Sequence, residues 1–118
     1  MNPGFTTRRV YDEPTTEDGS RVLVDRLWPR GLTKEAARLD DWAKDLAPST
    51  ELRKWFDHDQ ERFDEFAEKY RAELDDNQEA VDAFLQKHAG ERVTLLYAAK
   101  STTCNHAPVL SEYLSRKA

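Results

Sequence analysis

The sequence predicts an α/β domain with a small, mainly parallel sheet of about three or four strands flanked by helices, and three observations carry that expectation. Two almost continuous apolar runs, Val22 to Arg26 and Val93 to Ala99, read as strands buried on both faces. Several stretches of helical spacing separate them, the arrangement expected of strand and helix alternating around a parallel sheet. Each run also breaks abruptly into a polar loop followed by a helix, the edge at which such folds bind ligands.

Phe5-Thr6-Thr7-Arg8-Arg9-Val10-Tyr11 is aromatic and β-branched and stops at Asp12-Glu13-Pro14, which predicts a first strand and a loop. The connection through Thr15, Thr16, Glu17, Asp18 and Gly19 is too short for a helix, so the first two strands pair antiparallel or lie apart in the sheet. After Val22 to Arg26, Trp28 precedes Pro29 and is biased to extended backbone, while Gly31 permits a turn. Thr33 suits an N-cap for a helix from Lys34, in which Leu39, Trp42, Ala43 and Leu46 share one face until Pro48.

Ser49 or Thr50 caps a short helix holding Leu52, Trp55 and Phe56, broken at Asp57-His58-Asp59. Asp59 caps the next, in which Phe63, Phe66, Ala67, Tyr70 and Leu74 recur at the amphipathic period between Gln60 and Leu74. A further helix from about Gln78 to Ala89 groups Val81, Phe84, Leu85 and His88 and stops at Gly90. Beyond the strand Val93 to Ala99 and its polar loop, Pro108 suits the first turn of a closing helix with Val109, Leu110, Tyr113 and Leu114 on its apolar face.

At 118 residues the chain fits a single domain, residues 1–118, with a lean core, and a second copy covering part of the surface would help it; a homodimer is one expectation. Three Trp, five Phe and four Tyr supply bulk that disordered chains lack. One cysteine, Cys104, leaves no internal disulfide, and the opening residues form neither a signal nor a transit peptide, so a bacterial-type cytoplasm is expected. No run approaches the roughly 18 apolar residues of a spanning helix, so no membrane partner is expected. The net charge of −5 argues against broad binding to nucleic acid.

Charge is uneven, however. Acids far outnumber bases between Asp57 and Glu91, whereas Arg21 to Lys34 carries four bases against Asp25 alone. A focused positive cleft on a negative body suits an anionic small molecule such as a phosphate or carboxylate. Two loops supply candidates: Asp25, Arg26, Trp28 and Arg30 from the first, and Lys100, Ser101, Thr102, Thr103, Cys104, Asn105 and His106 from the second.

Each has a structural alternative. Arg26 and Arg30 suit bidentate anion binding, or ion pairs with Asp25, Asp40 or Asp41. Trp28 walls a pocket or packs in the core, as Trp42 and Trp55 do. Lys100 holds an anion or is simply solvated. His106 is a general acid–base candidate, or bridges backbone and side chains at a helix start, and Asp25, His58 and Asn105 join it as candidate polar or proton-transfer partners of the anion. Cys104 is a candidate nucleophile near a helix N-terminus, though no base-orienter arrangement is evident. Asp57-His58-Asp59 lacks a metal-ligand spacing, and no metal or other cofactor is implied.

Val22-Leu23-Val24-Asp25-Arg26-Leu27-Trp28-Pro29-Arg30-Gly31, Ala47-Pro48-Ser49 with Leu52-Arg53-Trp55-Phe56 and His58-Asp59, then Leu95-Leu96-Tyr97-Ala98-Ala99-Lys100 and Asn105-His106-Ala107 together resemble the bacterial domain-of-unknown-function family 488, YeaO-like branch. The likeness covers almost the whole chain. It implies a small cytoplasmic protein without an established reaction, and it adds Arg53 and His58 to the candidate ligand-binding residues. The family pattern often has an acidic residue after the strand-end lysine, where this chain has Ser101, and Cys104 lies outside it. The leading expectation is an enzyme or ligand-binding domain that recognises an anionic small molecule at the carboxyl edge of the sheet. A transcription-associated or nucleic-acid-binding regulator, a label some family members carry, and an interaction module without catalysis are the alternatives.

Overall fold

The computed structural model describes residues 5–15, 18–101 and 103–117. Thr16, Glu17 and Thr102, along with the opening stretch Met1 to Gly4, lie outside the described residues. Four strands form one sheet: β1 (Phe5–Arg9), β2 (Ser20–Leu23), β3 (Asp41–Trp42) and β4 (Val93–Tyr97). Their order is β1-β4-β2-β3 and every pairing is parallel, so the expected small α/β fold is what the chain adopts. The first two strands are therefore separated, with β4 inserted between them. All five residues of β4 are buried, as a central strand requires.

Alternation assigns the two faces. Val22, Val24, Val93, Leu95 and Tyr97 enter the larger core with residues of α2 (Thr50–Phe56), α3 (Phe63–Asp75), α4 (Gln78–Lys87) and α5 (His106–Lys117). Leu23 and Leu96 point the other way, to a smaller core with Val10, Trp28, Leu32, Leu39 and Trp42. That second face is covered mostly by irregular chain between β2 and β3, with α1 (Lys34–Ala37) its one short helix.

The helix expected from Lys34 to Leu46 is corrected here. Thr33 does cap it, accepting from the Ala36 N–H, but it ends at Ala37 with Arg38 in left-handed backbone. The chain then enters β3, followed by a 3-10 turn, Lys44–Leu46. The reason is the open edge of β2: Asp40 N–H donates to Arg21 O and Ala43 N–H to Leu23 O, each at 2.8 Å. Leu39 and Trp42 pack on the smaller core and Leu46 on the larger, so the apolar spacing serves two faces of a sheet rather than one face of a helix.

Elsewhere the expected elements stand with adjusted ends. Ser49 accepts from Leu52 N–H and caps α2; Asp59 caps a 3-10 turn, Gln60–Arg62, that leads into α3. Gly90 has φ +79, as a residue that stops a helix often does. No helix among the described residues is long and apolar enough to cross a membrane.

Candidate functional site

Beyond Leu23, the Val24 N–H adds one more bond, to Leu96 O at 3.0 Å, and the backbone then leaves the sheet. Asp25 follows at the point of departure. Its Oδ2 accepts from the Ala98 N–H at 3.0 Å and its carbonyl accepts from Trp42 Nε1 at 2.7 Å, so one residue ties the carboxyl ends of β2, β3 and β4. His106, the first residue of α5, brings Nε2 to 3.0 Å from Val24 O and 3.1 Å from Asp25 Oδ1. Nε2 carries at most one hydrogen for these two acceptors. Asp25 Oδ1 is shielded from solvent and has no hydrogen-bond partner among the described residues, although His106 Nε2, bonded to Val24 O, lies 3.1 Å away.

A cavity of about 600 Å³ opens at this edge. Among the predicted residues it is lined by Asp25, Arg26, Trp28, Arg53, His58, Asn105 and His106. Arg30, Lys100 and Cys104 do not line it. Arg30 and Lys100 are exposed, and the Arg30 carbonyl accepts from the Tyr11 hydroxyl at 2.8 Å. Cys104 is half-buried and its N–H donates to Ser101 Oγ at 2.9 Å. The His106 Nε2 faces Val24 and Asp25, and no described basic group contacts the thiol.

Arg26 donates to the carbonyls of Pro48 and Ala47, at 3.2 and 3.3 Å, which docks the segment before α2 onto the end of β2. Ion pairs of Arg26 or Arg30 with Asp25, Asp40 or Asp41 are not formed. Asp40 accepts from the Arg21 backbone, and Asp41 pairs with Lys87 and His88. Trp28 packs against the core and also lines the cavity: its Nε1 donates to Leu32 O at 2.7 Å and its ring meets Trp42 edge-on at 5.6 Å. Asn105 is buried with both ends of its amide engaged within the loop, donating to Ser101 O and accepting from Ala107 N–H.

Arg53, Lys54, Asp57 and His58 line the cavity from α2 and just beyond it. Asp57 and His58 have φ of +48 and +56, successive left-handed residues without a glycine. Such backbone is uncommon for residues with a side chain and concentrates at ligand sites. Among the described residues, Arg26, Arg53 and Lys54 form no ion pair with a carboxylate. Beneath them, Tyr70 donates its hydroxyl to Leu46 O and stacks edge-on to His106. Burial, then the charges of Glu73 and Asp25, hold its phenol well above the ordinary value, so it remains a donor.

Lys54, Phe56 and Phe66 are lining residues that sequence reasoning missed; adjacency to Arg53 was the available signal for Lys54, while the phenylalanines carry only a core pattern. Two charge clusters away from the cavity were also hidden. Arg21, counted toward the positive stretch, is buried against Asp18 at 2.5 Å, and Arg8 binds the other oxygen of Asp18 at 2.7 Å. His88, placed on an apolar helical face, has Nδ1 at 2.9 Å from Glu91 and Nε2 at 3.1 Å from Asp41. No three His, Cys, Asp or Glu side chains among the described residues gather to hold a metal ion.

Comparison with known proteins adds a lineage. A family model described as the inactive DUF488-N3 subclade matches residues 4–118. An uncharacterized protein of Mycobacterium tuberculosis is 47% identical over 108 residues, covering 91% of this chain and 90% of its own length. The uncharacterized protein YeaO of Escherichia coli is 46% identical over 107 residues, covering 91% of this chain and 93% of its own. No solved structure matches the chain.

Proposed function

The chain belongs to the inactive DUF488-N3 subclade, and from that premise we propose that it is a small binding domain that holds an anionic small molecule without turning it over. The observation that carries this reading is the convergence of Arg26, Arg53 and Lys54, none paired with a carboxylate among the described residues, on one cavity at the carboxyl edge of the sheet. Guanidinium forks suit planar carboxylates and phosphates, and cations in a cleft attract anions beyond their direct contacts. The amino end of α5, where Asn105 and His106 line the cavity, adds the positive end of a helix dipole.

Asp25 and His106 are the pair that would move a proton if a reaction took place there. Their contacts support a structural role as well: both are tied to backbone at the ends of β2 and β4. The word inactive in the subclade's description agrees with binding rather than turnover. Isothermal titration with inorganic phosphate and with acetate tests the reading. Arg53→Ala and Lys54→Ala are expected to weaken binding about tenfold each. Lys100→Ala, outside the lining, is expected to leave it unchanged. Equal affinity in all three variants and the native chain sinks the assignment.

A further inference from the structure

We infer that the anion bound here carries an apolar, ring-sized body, an aryl phosphate or aryl carboxylate rather than a bare oxyanion. This rests on the anion-binding reading above and specifies its ligand. The charged groups form only part of the wall; Leu27, Trp28, Pro29, Pro48, Phe56 and Phe66 supply much of the rest. Phe56 and Phe66, stacked on each other at 4.3 Å with 20° between their planes, both line the cavity and give its floor apolar carbon. The volume of about 600 Å³ falls within the range occupied by ligands of many heavy atoms, and a lone phosphate would leave most of it to water against apolar surface.

Leu27 provides the second observation. It is 64% exposed, a few positions after the fully buried Leu23 and Val24 and next to Arg26 in the chain. Tyr11 is the other large apolar residue exposed among the described positions, and its hydroxyl is hydrogen-bonded; Leu27 has no polar group to justify its position. A leucine beside a guanidinium at the mouth of an aromatic-floored cavity is the arrangement that an amphipathic anion completes: its oxyanion meets Arg53 and Lys54, and its ring displaces water from Leu27, Trp28 and the phenylalanine floor.

The test is calorimetric titration of the full chain with five probes: inorganic phosphate, phenyl phosphate, acetate, phenylacetate and neutral phenol. The aryl member of each pair is expected to bind at least about tenfold tighter than its partner. Leu27→Ser, a change at an exposed position that adds no charge, is expected to lower that advantage about fivefold, read as the ratio of phenyl phosphate to phosphate affinity. If phenyl phosphate and phosphate bind equally and Arg53→Ala weakens both, the anion site stands and the apolar body is wrong. If no probe binds saturably, the anion reading fails and this inference with it. Neutral phenol binding as tightly as phenyl phosphate overturns the anionic half of both.

Discussion

Asp18 is 4% exposed, and it accepts from Arg8, Arg21 and both the N–H and hydroxyl of Thr15. Burial pushes its carboxyl upward, but those donors outweigh burial and hold it well below the usual carboxylate range. A carboxyl whose pKa is lowered by folding stabilises the fold above its unfolded value, near 4, and that contribution is lost as pH falls through the folded value. Asp18→Asn leaves Arg21 buried without a counter-charge and is expected to cost about 3–5 kcal/mol at pH 7. The gap between variant and native chain is then expected to narrow as pH falls below about 4, read from urea midpoints across that range. A gap independent of pH would show that packing, not charge, dominates. Asp57 makes the opposite prediction. It closes α2 with φ +48, backbone that glycine adopts without strain, so Asp57→Gly is expected to raise stability by about 0.5–1 kcal/mol in the same urea assay.

At the scale of the element, the turn into β2 is the most constrained. Gly19 has φ +65, and a Cβ there would sit 2.3 Å from Arg92 O, the carbonyl that also receives the Ser20 N–H. Backbone cannot yield as a side-chain tip does, so Gly19→Ala is expected to cost at least about 2 kcal/mol, measurable by thermal or urea unfolding. Local chemistry made that turn legible, because Asp18-Gly19 is a turn pair in any context. The same holds for α3: Phe66, Ala67, Tyr70 and Leu74 bury one face, at the spacing seen in the sequence. β3 was not legible, since two residues carry no periodicity and hydrogen bonds from a strand some 20 positions earlier decide their state. Asp25 and His106 were singled out as chemistry-bearing residues at strand ends, but their junction depends on sheet order, which no local pattern encodes.

Across the whole molecule, β1 pairs with β4 and β4 with β2, so residues separated by most of the chain set the edge where the cavity opens. The sequence pointed to the two loops and the strand edge; it also counted Arg21 as free charge and missed Lys54, because burial and pairing are long-range facts. The electrostatic consequence is testable at this scale. The net charge of −5 repels an anion, whereas Arg26, Arg53 and Lys54 attract it, and salt separates the two effects. At about 0.01 M ionic strength the screening length is about 30 Å. That is comparable with the molecule's extents of 35 × 32 × 20 Å, so the whole charge is felt. At about 0.15 M it shrinks to about 8 Å and only the lining groups act. If the body's charge governs, affinity for phosphate rises with salt; if direct contact with the cavity cations governs, affinity falls as their attraction is screened. We expect a fall, measured by titration in a non-coordinating salt, and a shallower fall in Arg53→Ala. Arg53 is exposed and unpaired among the described residues, so its removal should leave unliganded stability within about 0.5 kcal/mol. With ligand well above the dissociation constant of either protein, a tenfold weaker affinity should then lower the ligand-bound stability by about 1.4 kcal/mol. An affinity that climbs with salt in the native chain would instead show that repulsion by the body's charge outweighs the attraction of these three cations.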